Sequence, residues 1–260
     1  MGQPESDAAG AAVRAPLGER RAYAAPYESL TFTLVTRGGR ELAVTLAAQP
    51  VFDLSRSVPV SRRIRRSVRH RGGESALTAL GRRMLEPADL KRIDLQTLNH
   101  GLDLLRLQRD DSGVLPAFWR TVASSGGQFA LLCTELQQEA APGTLLVEVM
   151  GGLEQASAEA LDEAIAHFET AALGLILHIA PDPGAARRLN GVRAQCLAID
   201  FAGVAHESAR EWMDAAALVG AARAACPQVM LLNLRPDRGL AAHSAGATHA
   251  VFAGMEAITV

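Results

Sequence analysis

From residue 29 onward apolar and polar positions alternate along the chain. Leu30, Phe32 and Leu34 interleave with Thr31, Thr33 and Val35, the Arg-Gly-Gly-Arg segment 37–40 interrupts the pattern, and Leu42, Val44 and Leu46 resume it. A period of two on either side of a glycine turn predicts a β-hairpin, its second arm leading into 47–54. A further turn is expected at 55–57. An arginine-rich stretch follows, Arg62, Arg63, Ile64, Arg65, Arg66, Ser67, Val68, Arg69, His70 and Arg71, ending at Gly72 and Gly73. The plain reading of it is a solvated strand and loop; an anion site and an interaction patch are the sharper ones. Over 74–109 the apolar residues recur at helical spacing, first Leu77, Leu80 and Met84, then Leu90, Ile93, Leu98, Leu102 and Leu105. Two helices are predicted, with Pro87 opening the second.

The remainder repeats a short apolar run followed by an amphipathic segment. Strands are expected at 114–122, 145–150, 173–179, 194–201 and 229–234, with a last one through Ala250 and Phe252. Helices are expected at 127–139, 157–170, 184–190, 208–226 and 240–246, with Ser157 as a cap. Strands apolar throughout, alternating with helices, are buried on both faces in a parallel sheet. No linker-like break divides the repeated units, so a closed (β/α) barrel is the expected architecture rather than two domains. Residues 1–26, rich in Ala, Gly, Pro and charge without periodicity, are expected to form a flexible arm ahead of a barrel domain over 27–260.

Composition narrows the picture in three places. All of the 26 basic residues except Lys91 are arginine, and against 28 acidic residues they leave a formal charge of −2. The arginine count therefore reads as compositional bias, and nucleic-acid binding through 62–71 is a minor reading, because a phosphate binder usually carries a strong positive excess. No apolar run reaches the ~20 residues a membrane span requires; 171–180 is broken by His178 and followed by Pro181. Cys133, Cys196 and Cys226 are far apart in apolar surroundings, so core thiols in a reducing cytoplasm are expected. The sequence has no glycine-rich phosphate loop and no nucleophile elbow, and its histidines and cysteines lack metal-ligand spacing.

Four short motifs in order carry a family resemblance. Gln49-Pro50-Val51-Phe52-Asp53-Leu54 resembles the Gln-Pro-Ile-Val-Asp-Leu segment that opens the EAL domain, the bacterial cyclic di-GMP phosphodiesterase family. Segment 145–151, containing Glu148, is similar to that family's Glu-x-x-Glu strand. Leu197-Ala198-Ile199-Asp200 is similar to its Leu-Lys-Ile-Asp, and 246–254 to its closing Gln-Gly-Tyr segment. The resemblance spans about 42–254 and implies a modified TIM barrel with an antiparallel entering strand. It also implies a site in which two Mg²⁺ or Mn²⁺ ions, held by carboxylates and an amide, activate a water.

Carried over residue by residue, most of that site is missing. The family's signature glutamate falls at about Ser61, its asparagine at Pro116 or Ala117, and its paired aspartates at Leu177 and His178. Its lysine falls on Ala198, a later glutamate at about Asn233, and its late glutamine at about Ala250. Glu148 and Asp200 remain, Arg65 stands as the candidate for the phosphate-binding arginine, and Gln49 completes the relic ligand set. The expectation is a degenerate EAL-like domain with no catalytic residues, metal or cofactor, acting in bacterial signalling through an unidentified protein partner. A homodimer is also expected by resemblance. A non-hydrolysing cyclic di-GMP receptor is the first alternative, and an unrelated TIM-barrel enzyme using Glu148, Asp200 and His178 the second. At the level of single residues, Glu148 is read as a relic ligand or the partner of a nearby arginine, Asp200 as a relic or the cap of its turn, and His178 as a ligand or a satisfied core histidine.

Overall fold

The computed structural model describes residues 29–70, 85–108, 112–140 and 144–254. The arm expected over 1–26 and the helix expected around Leu77, Leu80 and Met84 lie outside them. Strand β1 (Ser29–Val35) pairs antiparallel with β2 (Glu41–Asp53) through a turn in which Thr36 N–H donates to Arg40 O at 2.8 Å. Gly39 sits in that turn at φ +77°, a conformation that costs glycine little. Strand β2 runs antiparallel to β3 (Val58–His70), and β3 then pairs parallel with β4 (Ser112–Phe118). The parallel ladder continues through β5 (Thr144–Met150), β6 (Gly174–Ile179), β7 (Cys196–Asp200), β8 (Gln228–Leu234) and β9 (His249–Phe252).

Antiparallel pairing of Phe52 and Asp53 with Ala250 and His249 closes the circle. Strands β2 to β9 therefore form an eight-stranded mixed barrel, and β1 takes along the first part of β2 the edge that β9 takes at its end. This is the TIM-like α/β barrel with an antiparallel entering strand that the sequence predicts.

Helices cover the outside: α1 (Pro87–Gln108), α2 (Trp119–Ser124), α3 (Gln128–Ala140), α4 (Ala158–Thr170), α5 (Pro183–Arg187), α6 (Ala209–Ala225) and α7 (Gly239–Ala245). Their starts follow local chemistry. Pro87 occupies the first position of α1, where its missing N–H costs nothing. Ser157 Oγ accepts from Ala160 N–H, and Ser208 and Glu211 cap α6 reciprocally.

Two apolar regions result from strands buried on both faces. The larger lies between sheet and helices and includes Leu42, Leu46, Ile64, Leu177 and Leu231. The smaller draws Val51, Val114, Ile176, Cys196, Ala198, Met230, Leu232 and Val251 from six strands, which meet only inside the barrel. Many of these inner side chains are small, which leaves the barrel interior with room that bulkier layers would fill.

Two expectations need correction. The strand expected over 114–122 ends at Phe118, and α2 begins at Trp119. At that junction the Asp94 carboxylate on α1 accepts the Phe118 N–H at 3.1 and 3.2 Å, a partner supplied from 24 residues away. The arginine-rich stretch is a strand, and it is not simply solvated: Arg63 and Arg66 are buried side chains. Arg66 faces outward beneath α1, with Nη1 on Asp94 Oδ1 at 2.6 Å and its guanidinium 4.1 Å from the centre of the Phe118 ring.

Candidate functional site

Alternation along β3 puts Arg63 and Arg65 on the inner face and Ile64 and Arg66 on the outer. Arg63 lies directly opposite Gln49 in the β2–β3 ladder. Glu148, at the middle of β5, is paired in register with Pro116 and Ile176 and is fully buried. The Arg63 guanidinium meets it in a fork: Nε donates to Oε2 at 2.5 Å and Nη2 to Oε1 at 2.9 Å. Nη1 donates to Gln49 Oε1 at 3.2 Å. From β6, His178 Nδ1 stands 2.7 Å from Glu148 Oε1.

Burial pushes the Glu148 carboxyl up, but the Arg63 charge and the hydrogen bonds from His178 and Arg63 outweigh it and bring the group to about 2. The carboxylate is thus ionised and only accepts, so the His178 Nδ1 carries the proton between them.

Of the sequence-predicted residues, Gln49 and Glu148 are brought together through Arg63, with His178 beside them. Asp200 is held elsewhere. At the end of β7 its Oδ1 accepts from Ala202 N–H at 2.9 Å and from Asn233 Nδ2 at 2.7 Å, the turn-capping arrangement. Asn233 sits at φ +55°, where asparagine is better tolerated than most residues.

Arg65 lines an open cleft of about 560 Å³ beyond the C-terminal ends of β7 and β8, together with Phe201, His206, Glu207, Asn233 and Arg235. Charges there compensate one another: Arg235 lies 3.3 Å from Glu207 and 3.1 Å from Asp237. His206 donates through Nδ1 to Val204 O at 2.6 Å, which leaves its buried Nε2 without a partner among the described residues.

Sequence reasoning missed Arg63, His206 and Arg235. Only Arg63 had a legible signal, the shared inner face with Arg65 that the strand period dictates. The residue β3 turns toward Glu148 is Arg63, two positions beyond Ser61, whereas Ser61 Oγ donates to Ser112 O at 3.1 Å near the start of β4. A guanidinium therefore faces the Glu148 carboxylate.

The donor set does not fit a pair of hard divalent ions. Both Glu148 oxygens are engaged by Arg63, one of them also by His178, and Ala198 and Ile176 beside them are apolar. Among the described residues no three His, Cys, Asp or Glu side chains are grouped to hold a metal.

No protein-family profile matches the sequence, and no curated protein matches it. Solved structures do. The EAL domain of FimX from Xanthomonas citri in complex with cyclic di-GMP is similar at TM-score 0.60 and 14% identity, over 80% of this chain and 85% of that one. An EAL domain protein from Listeria monocytogenes EGD-e is similar at TM-score 0.54 and 13% identity, over 80% and 85%. A standalone EAL protein from Vibrio cholerae O395, bound to cyclic di-GMP, is similar at TM-score 0.54 and 12% identity, over 80% and 88%. At such identities the likeness concerns the fold, and the fold of this chain is an EAL-type barrel.

Proposed function

We propose that this chain is a non-hydrolysing EAL-type regulatory module that works through protein–protein contact in cyclic di-GMP signalling. The observation that carries the reading is the Arg63–Glu148–His178 cluster. Two-metal hydrolysis needs carboxylates with free lone pairs at the barrel interior, and here a guanidinium already neutralises Glu148. Ligation would require that a cation displace a buried, bidentate arginine. The cyclic di-GMP context rests on fold likeness to the FimX and Vibrio cholerae domains, whose structures contain that nucleotide.

Contact with a protein is favoured by two large apolar side chains on helices packed against one another, Met213 on α6 at 72% exposure and Leu240 on α7 at 68%. Cytoplasmic residence and self-association belong to the same proposal; among the described residues no helix is long and apolar enough to cross a membrane. Nucleic-acid binding through the arginine stretch is weakened by the internal pairing of Arg63 and Arg66. The unrelated-enzyme reading is weakened by Asp200, which is hydrogen-bonded to Asn233 rather than to Glu148 or His178.

A second reading, a receptor that binds cyclic di-GMP without cutting it, draws on the open cleft lined by Arg65 and Asn233. Isothermal titration of the full chain with cyclic di-GMP, with and without Mg²⁺ or Mn²⁺, separates the two. The interaction module gives no saturable heat. Metal-independent binding of intact nucleotide, weakened by Arg65→Ala, would replace it with the receptor.

A further inference from the structure

At the opposite end of the barrel from the Arg65 cleft, a second cavity of about 270 Å³ opens among the N-terminal ends of the parallel strands. Ser112, Cys196 and Gln228, the first residues of β4, β7 and β8, line it, and its depth is formed by Val51, Val114, Leu146, Ile176 and Met230. On its wall Cys196 stands where a leucine or isoleucine would fill the layer. Ile176 is the in-register neighbour of Glu148, so the charged cluster caps the apolar space from above.

The polar groups on its wall are the side-chain amides of Gln195 and Gln228 and a set of acceptors on Ser61, Ser112 and His249. The Ser61 hydroxyl gives its proton to Ser112 O, and the Ser112 hydroxyl gives its proton to Val60 O, so each offers lone pairs alone. Thr248 gives its proton to Val229 O, so the His249 Nδ1–H donates to Thr248 Oγ1 and leaves Nε2 an acceptor. Arg56, at the edge, is held by Asp53 at 2.8 Å and brings no uncompensated charge. An apolar cavity of about 150 Å³ is known to admit benzene, so this one has space for two fused rings.

We propose that the floor of the barrel is a binding site for a small neutral hydrophobe of one or two rings carrying a single N–H or O–H donor. Apolar burial supplies the affinity, and the Ser61, Ser112 and His249 acceptors orient the donor. The site is independent of the nucleotide-end cleft and of the regulatory reading above.

Indole is a suitable probe, titrated into the full chain labelled with ¹³C at methionine methyls. The proposal expects saturable binding, intermolecular NOEs from indole to the Met230 methyl, and an affinity reduced at least about tenfold in Val114→Phe, which fills the cavity. Leu131→Ser, exposed on α3, leaves the affinity unchanged. Should Val114→Phe fail to fold, the NOE pattern in the natural chain decides. Absence of saturable binding up to the solubility of indole, NOEs to methyls other than Met230, or full affinity in a folded Val114→Phe would each overturn it.

Discussion

Arg63 and Glu148, 85 residues apart in the chain, meet inside the barrel through two parallel hydrogen bonds of 2.5 and 2.9 Å, with the carboxylate fully buried and the guanidinium nearly so. Such a pair is stable only while both charges are present. Arg63→Met or Glu148→Leu leaves the partner charge stranded and is expected to lower stability by about 3–5 kcal/mol. The double variant Arg63→Met/Glu148→Leu recovers most of either loss. Urea unfolding of the three proteins measures this, and additive losses in the double variant would contradict a direct pair.

The same pair fixes a pH dependence. Glu148 is held at about 2 against an ordinary value of 4.5, so its contribution is fully present above about pH 4.5 and is lost as the pH falls through about 2. Gln at this position does not titrate. The stability gap between the natural chain and Glu148→Gln should therefore be constant from neutral pH to about 5 and shrink below it, as read from urea midpoints at each pH. A gap that widens on acidification would reverse the sign.

The outward arginine of β3 anchors α1. Arg66 is bound to Asp94 at 2.6 Å, both side chains are almost wholly buried, and Asp94 also accepts the Phe118 N–H that ends β4. Asp94→Ala is expected to cost about 3–5 kcal/mol by leaving a buried guanidinium unpaired. Hydrogen exchange should show lost protection at Phe118 and along α1 before the rest of the barrel. Unchanged protection there would mean that helix packing alone holds α1.

Much of the fold was legible because it rests on local rules. The period-two hairpin, the apolar strands and the serines at 157 and 208 mark elements whose causes lie within a few residues of sequence. The parts that were not legible depend on distant partners. Phe118 and Trp119 continue an apolar run that reads as strand, and the change to helix there is accompanied by a distant partner, the Asp94 carboxylate on α1. Arginines fall on both faces of β3, so the stretch shows no amphipathic signal, and the burial of Arg63 and Arg66 follows from Glu148 and Asp94 alone. At the candidate site, Gln49 and Glu148 meet through Arg63, a residue hidden in that run. Asp200 is engaged by Ala202 and Asn233, a local arrangement that motif order along the chain does not reveal.

The most direct test of the account is an assay for turnover. Purified protein is incubated with cyclic di-GMP and Mn²⁺, and the nucleotide is then separated by chromatography. The locked Glu148 predicts that the cyclic form is recovered intact, from the natural chain and from Glu148→Gln alike. Linear product from the natural chain, at a rate abolished by Glu148→Gln, would show that a metal displaces Arg63 and would contradict the proposal.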